Sequence, residues 1–231
     1  MLKAVVSGDI IASTSLSTEG KQYLIKSFEN LFDTLHNLYQ TDLQLVKGDF
    51  IQCYIPNSAD ALTITLLIKT YIKSIAREIE TVEVNNPRIK YFYQHGIRLA
   101  IGIGNLEVVD KRNMVYEGDA VYFSGRLLNN LETHGKEKIV IKNTLFIKSG
   151  YDEFNNEMEP LLDLIDVIVS QSTAKQCEVL YYKLQGYAEK EIATILNKKQ
   201  STINQHSTSV GWNAIEKAVA RYQQVIQKMN K

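Results

Sequence analysis

Two aspartates stand where chemistry on phosphates would need them. Asp9, in Gly8-Asp9-Ile10-Ile11-Ala12-Ser13-Thr14, and Asp49, in Lys47-Gly48-Asp49-Phe50, each follow a glycine where an apolar run meets a loop. Paired carboxylates at neighbouring strand ends suit Mg²⁺, a hard ion that keeps waters and accepts phosphate oxygens. Ile10, Ser13 and Thr14 are the expected ligand contacts, because the amides of the loop after Asp9 could receive those phosphates. Gly-Asp is also a common turn pair, so the metal reading requires both carboxylates to meet in one cleft.

A second constellation lies far along the chain. Gln200, Ser201, Thr202, Asn204 and Gln205 carry the donors and acceptors that read base edges in a major groove. Lys198 and Lys199 precede them, placed for phosphate contact. The partner these residues imply is double-stranded DNA.

The elements that must position the aspartates follow from periodicity. Residues 2–11 read as a buried strand, and 21–38 as an amphipathic helix with Leu24, Phe28, Leu31, Leu35 and Leu38 on one face. Residues 43–46 and 50–55 form a hairpin around Lys47-Gly48-Asp49. A long helix over 59–79 is stopped by Asn85-Asn86-Pro87, and 97–103 is a central strand. A helix over 120–131 and a last strand over 138–141 follow. The order β-α-β-β-α-β predicts an α+β fold with a ferredoxin-like layer over residues 1–155. Pro160 is expected in the first turn of a linker helix within 156–170. Gly102-Ile103-Gly104 lacks the third glycine of a dinucleotide loop, since Glu107 occupies that position.

The polar constellation needs a helix-turn-helix, and residues 171–231 supply its spacing as a small all-α domain. Thr173 and Gln176 form a capping box, and Gly186 ends the helix they start. Helices over 188–196 and 200–210 follow, with Asn197 at the turn between them because it tolerates left-handed backbone. Ala193, Asn197 and Ile203 give a small contact residue, a turn residue and an apolar anchor. A last helix carries Trp212, Ile215, Val219, Tyr222 and Ile226. That seam either pairs two subunits or covers the core beneath it, and three heptads are short for a coiled coil.

Composition separates these two parts. The chain has no net charge, yet nine Lys/Arg stand against four Asp/Glu from Gln171 onward, leaving 17 against 22 in the remainder. A basic module on an acidic body is what phosphate contact requires. No apolar run approaches the roughly 18 residues of a membrane helix, and the first strand is too short for a secretory signal. Cys53 and Cys177 lack CxxC spacing and the four histidines form no ligand cluster, so a cytoplasmic protein without disulfides or zinc is expected.

Three resemblances extend this reading. Asp9 to Leu16, Gly48-Asp49 and Gly118 to Leu127 resemble the catalytic domain of class III nucleotidyl cyclases. That resemblance implies metal binding by Asp9 and Asp49, stabilisation of phosphate charge by Arg126, and pairing into a homodimer. Tyr122 stands where active cyclases have asparagine, and Leu45 where the base-reading lysine would fall; both weigh against cyclisation. Glu191-Ile192-Ala193 and residues 201–206 resemble the helix-turn-helix of LuxR-type regulators and sigma region four, although Lys198 and Ser207 replace apolar residues usual there. Over nearly its whole length the chain is similar to the SatD-like family, through Gly8-Asp9-Ile10-Ile11, Gly48-Asp49-Phe50-Ile51-Gln52 and Gly211-Trp212.

The leading expectation is a DNA-binding transcriptional regulator whose cyclase-like domain takes a nucleotide or phosphate ligand with Mg²⁺. The alternative is a divergent nucleotidyl cyclase or phosphotransferase using Asp9 and Asp49. A third possibility is a degenerate cyclase-like layer that serves only as a dimer scaffold.

Overall fold

The structure, a computed structural model, describes residues 1–46, 48–80, 87–129 and 141–230. Its centre is a five-stranded sheet in the order β2-β3-β1-β4-β7. The strands are β1 (Lys3–Ile10), β2 (Asp42–Val46), β3 (Phe50–Ile55), β4 (Ile97–Gly104) and β7 (Leu145–Ser149). β1 pairs antiparallel with β3 and β4, β2 pairs antiparallel with β3, and β7 runs parallel to β4. With α1 (Thr18–Tyr39) and α2 (Ala61–Glu80) as the crossovers, the first four sheet strands have the βαββαβ order of a ferredoxin-like layer. The whole is an α+β fold with a mixed sheet.

Strand alternation sorts the sheet into two faces. Ala4, Val6, Ile10, Ile51, Cys53, Ile55, Leu99, Ile101 and Ile103 point one way and are buried in a single apolar core with α1 and α2. The helix α1 starts at Ser17, whose side chain accepts from the Gly20 amide, and buries Leu24, Phe28, Leu31 and Leu35. The opposite face carries Ser7, Asp9, Phe50, Gln52, Arg98 and Gly102. Across it lies α4 (Asp119–Asn129), joined to β1 by a 2.9 Å hydrogen bond between the buried hydroxyls of Ser7 and Ser124. Gly102 makes that approach possible, since a Cβ there would lie 2.0 Å from the Ala120 carbonyl oxygen. Gly102-Ile103-Gly104 is therefore a helix-packing stretch of β4.

A short hairpin of β5 (Val108–Asp110) and β6 (Val115–Glu117) folds over the outer strands on this face. The Tyr116 ring stacks on Tyr54 at 4.8 Å, and its hydroxyl donates to Asp42 Oδ2 at 3.0 Å. Periodicity gave no sign of these three-residue strands, nor of α3 (Ile89–His95).

One expectation requires correction, and another falls mostly outside the described residues. The last strand is Leu145–Ser149, where Leu145 and Ile147 face the core; most of the expected 138–141 strand lies outside the described residues, as do residues 130–131 of the expected helix. Pro160 sits inside α5 (Asp152–Gln171), not in its first turn. Asn155 anchors the helix upstream by accepting from the Ser149 amide at 2.8 Å and donating to the Ser149 carbonyl at 2.9 Å. Pro160 is exposed, so the carbonyl of Asn156 that it leaves without a helical donor can bond to water.

Four further helices follow: α6 (Ala174–Leu184), α7 (Glu189–Ile195), α8 (Gln200–Ser209) and α9 (Trp212–Met229). Cys177, Leu180 and Leu184 of α6 join the same core as the sheet, as do Ile215, Tyr222 and Ile226 of α9. The Tyr222 hydroxyl donates to the Ser58 carbonyl at 3.0 Å. The α9 seam is thus filled from within the chain. Among the described residues, Val179, Ile192, Ala193 and Ile203 form a separate small cluster.

Candidate functional site

β1 and β3 bring the two aspartates to one edge of the sheet. Asp9 lies opposite Phe50 in the ladder, and the Ile10 amide donates to the Asp49 carbonyl at 2.9 Å. After Ile10 the chain turns sharply through Ala12, whose φ of 56° is left-handed and costly for a residue with a Cβ. That turn leads into the 3₁₀ stretch Ser13–Ser15 and sets Ser13 over Asp49, with its hydroxyl donating to Oδ2 at 2.7 Å. Gly48, at φ 82°, gives the hairpin its own left-handed residue just before Asp49.

The loop is less open than its sequence implies. The Ile10 and Ile11 amides are spent within the fold, on Asp49 and on the Gly96 carbonyl. Ile10 is also 3% exposed, so its contribution is to position Asp49 and not to offer an amide. Ser13 is half-buried and Thr14 exposed, which leaves the turn as the ligand-facing part of the loop.

Arg98 is the residue at this edge that sequence reasoning missed. It faces Asp9 across the β1–β4 ladder, with Nε 3.6 Å from Oδ1. The signal was present: Arg98 is the one charged side chain in the otherwise apolar run 97–104. Arg126 is exposed on α4, with its guanidinium 3.9 Å from the centre of the Tyr122 ring. Leu45 is packed against the apolar core, on the face of β2 away from Asp9.

A pair such as Asp9 and Asp49 would make a two-carboxylate donor set. That suits an octahedral ion such as Mg²⁺, which completes its shell with water and phosphate oxygens. No group of three or more His, Cys, Asp or Glu residues with metal-holding geometry occurs among the described residues. Any ion here would therefore depend on its ligand for the remaining bonds.

The second constellation is solvent-facing. Asn197 has a φ of 49°, and the Lys198 amide closes the turn onto the Ala193 carbonyl at 2.9 Å. Ile203 is 1% exposed against Val179, Ile192 and Ala193. Lys198, Lys199, Gln200, Ser201, Asn204 and Gln205 are exposed and Thr202 is half-buried. The Asn204 amide donates to Glu189 at 3.2 Å, which puts a carboxylate beside this polar face.

A third polar cluster, absent from the sequence reading, is fully interior. Lys69 Nζ donates to the Ile97 carbonyl at 2.6 Å and to the Thr144 hydroxyl, and lies 3.8 Å from Asp166 Oδ1. Lys73 Nζ donates to the carbonyls of Gln94, Val169 and Ser170, closing the end of α5. Burial pushes both ammonium groups below the usual lysine range. His95, beside them, is held down to about 4 by burial and by the Lys69 charge. Two lysines four apart in the apolar run 61–76 were the visible clue.

No known protein family matches this sequence, and no curated protein matches it either. Among solved structures the chain is similar to a bacterial light-regulated adenylyl cyclase, at 17% identity and a TM-score of 0.43, over 63% of this chain and 42% of that one. It is similar to the guanylyl cyclase Cya2 at 11% identity and TM-score 0.39, over 56% of this chain and 70% of that one. It is also similar to the adenylyl cyclase CyaB from P. aeruginosa at 14% identity and TM-score 0.38, over 56% of this chain and 73% of that one. The chain spans less than half the length of the first of these. No described helix is long and apolar enough to cross a membrane.

Proposed function

We propose that the sheet edge bearing Asp9 and Asp49 is a divergent nucleotidyl-cyclase-type site that binds a nucleoside triphosphate as its Mg²⁺ complex. What supports this reading is that the ladder sets Asp9 opposite Phe50, next in the chain to Asp49, whose carbonyl accepts from the Ile10 amide and whose carboxylate accepts from Ser13. The nucleotide is the ligand implied by the resemblance of residues 9–16, 48–49 and 118–127 to cyclases.

Asp9 and Asp49 would hold the ion, which when bound offsets the negative charge of the phosphates. The Ser13–Ser15 turn would meet the phosphate oxygens, and Arg98 would add positive charge beside Asp9. Leu45 and Tyr122 offer neither a base-reading ammonium nor an amide, so binding without efficient cyclisation is expected. Arg126, which the resemblance would have stabilise phosphate charge, lies over the Tyr122 ring. Calorimetric titration of ATP and GTP with Mg²⁺, alongside an assay for cyclic nucleotide, tests this. Saturable, metal-dependent binding supports it, and no heat with either nucleotide would refute it.

A second reading rests on a different observation, the exposed polar face of α8 behind Lys198 and Lys199. It makes residues 188–210 a helix-turn-helix on duplex DNA, with the nucleotide as the regulator of that binding. Lys199→Ala would then weaken all duplexes alike and lower the salt dependence, whereas Gln205→Ala would change sequence preference. Anisotropy showing no salt-sensitive binding to any duplex would remove this reading.

A further inference from the structure

The exposed face of α8 is a single stripe. Ser201, Asn204, Gln205 and Thr208 recur at three- and four-residue steps, so they lie side by side along the helix, and all four are exposed. Ile203 and Ser207, on the opposite side, are buried. The stripe holds hydroxyls and carboxamides and no charge. To tell one base edge from another, a carboxamide must have its donor and acceptor ends fixed, because turning it over exchanges them.

One side chain of the stripe is fixed in this way. Asn204 Nδ2 lies 3.2 Å and 3.4 Å from the two carboxylate oxygens of Glu189, the first residue of α7. An ionised carboxylate can only accept, so the NH₂ end of Asn204 is the end that meets it. The reversed amide would set its carbonyl oxygen against the carboxylate. The Asn204 carbonyl is therefore the end left for a ligand, held there by a bond stronger than one between neutral groups. The packing of the two helices makes the meeting possible. α7 rests on α8 through Ile192, Ala193 and Ile203, and this carries Glu189, three residues before Ile192, to the middle of α8.

The pair thus offers acceptors, the Asn204 carbonyl and the lone pairs of Glu189 that the amide leaves. In a major groove these suit an exocyclic amino group. Cytosine N4 and adenine N6 are such groups, whereas guanine and thymine present oxygens at the same place. Adenine also carries the N7 acceptor beside its amino group, where it would face the carboxylate unfavourably. Cytosine has a C–H there.

We propose that Glu189 and Asn204 act together as the reader of one cytosine in duplex DNA. The inference rests on the reading of residues 188–210 as a helix-turn-helix. Glu189 lies outside α8, yet it sets which end of Asn204 faces the groove and itself accepts from the N4 amino group. Its charge repels nearby phosphates at every sequence and is compensated only where that amino group is present, so it gives specificity at the expense of affinity.

A pool of random duplexes would be taken through rounds of binding to the full-length protein and sequenced, and the enriched duplexes titrated by anisotropy. In the wild type one position is expected to be held as a C·G pair, with about tenfold weaker binding when it is replaced. Glu189→Gln keeps an acceptor for the Asn204 amide, adds a donor and removes the charge. It should tighten binding to all duplexes and move that one position toward A·T, whose adenine edge a carboxamide matches with a donor and an acceptor. Asn204→Ala should relax the same position and leave the others as they were. Glu189 is half-buried and Asn204 exposed, so both variants should melt with the wild type. Enriched duplexes without a fixed C·G pair, base preferences unchanged in Glu189→Gln, or different positions altered by the two variants would each overturn the pairing while leaving DNA binding intact. Enrichment of no duplex at all would remove the helix-turn-helix reading and this inference with it.

Discussion

Arg98 faces Asp9 directly across the β1–β4 ladder, its Nε 3.6 Å from Oδ1, so the carboxylate proposed to hold a metal already has a cation of its own. The pair is partly exposed, and such pairs contribute only about 0.2–1 kcal/mol. Arg98→Met should therefore tighten binding of Mn²⁺ without nucleotide by up to about fivefold, as read by calorimetry. The same variant should weaken the nucleotide complex, because the positive charge beside the phosphates is lost. Opposite signs for the two ligands are the signature of a cation shared between Asp9 and phosphate.

The glycines around α4 give a matched pair of stability tests. Gly102→Ala would drive a Cβ to 2.0 Å from the Ala120 carbonyl oxygen, and should cost about 2–3 kcal/mol or more in urea unfolding. Gly125 lies within α4 with open space at its Cβ position. Gly125→Ala should instead stabilise by about 0.5–1 kcal/mol, the helix preference for alanine over glycine.

Asp166 is 3% exposed and accepts from the Thr144 hydroxyl at 2.6 Å and from the Thr144 and Leu145 amides, beside the buried Lys69 ammonium. Removing one member of such a pair leaves the other charge buried. Asp166→Ala should cost about 3–5 kcal/mol in denaturant unfolding. Combining it with Lys69→Met should recover part of that loss, since no uncompensated charge then remains.

His95 predicts an acid-sensitive fold. Its folded value near 4 lies below the ordinary 6.5, so the unfolded chain binds more protons between those values and stability falls as pH drops through that window. Lys69 and Lys73 from α2, and Asp166 and Ser170 from α5, are the groups around it. The loss should reach up to about 3 kcal/mol between pH 6.5 and 4, and His95→Gln should flatten it. An unchanged slope in that variant would assign the acid sensitivity to other groups.

The residues that made the layer legible were those whose pattern is set locally. Leu24, Phe28, Leu31 and Leu35 specify a helix by spacing alone, and the run 97–103 specifies a buried strand by being apolar but for Arg98. Asn197 was legible for a similar reason, since a tight turn between two helices needs left-handed backbone. What depends on partners far along the chain was not. Arg98 acquires its role only when β4 lies against β1, and Ile10 loses its amide only when β3 brings Asp49 beside it. Pro160 was misplaced because a proline reads as a helix start, whereas Asn155 had already begun α5 by bonding back to Ser149.

Electron paramagnetic resonance of Mn²⁺ most directly tests the joint role of Asp9 and Asp49. The wild-type protein, Asp9→Asn and Asp49→Asn would each be titrated with Mn²⁺, with and without GTP or ATP. Both substitutions preserve shape, so the folded chain is retained while one negative charge is removed. The account predicts that protein-bound Mn²⁺ rises sharply when a nucleotide is present, and that either substitution abolishes the rise. Equal Mn²⁺ binding in all three proteins, or binding indifferent to nucleotide, would contradict it.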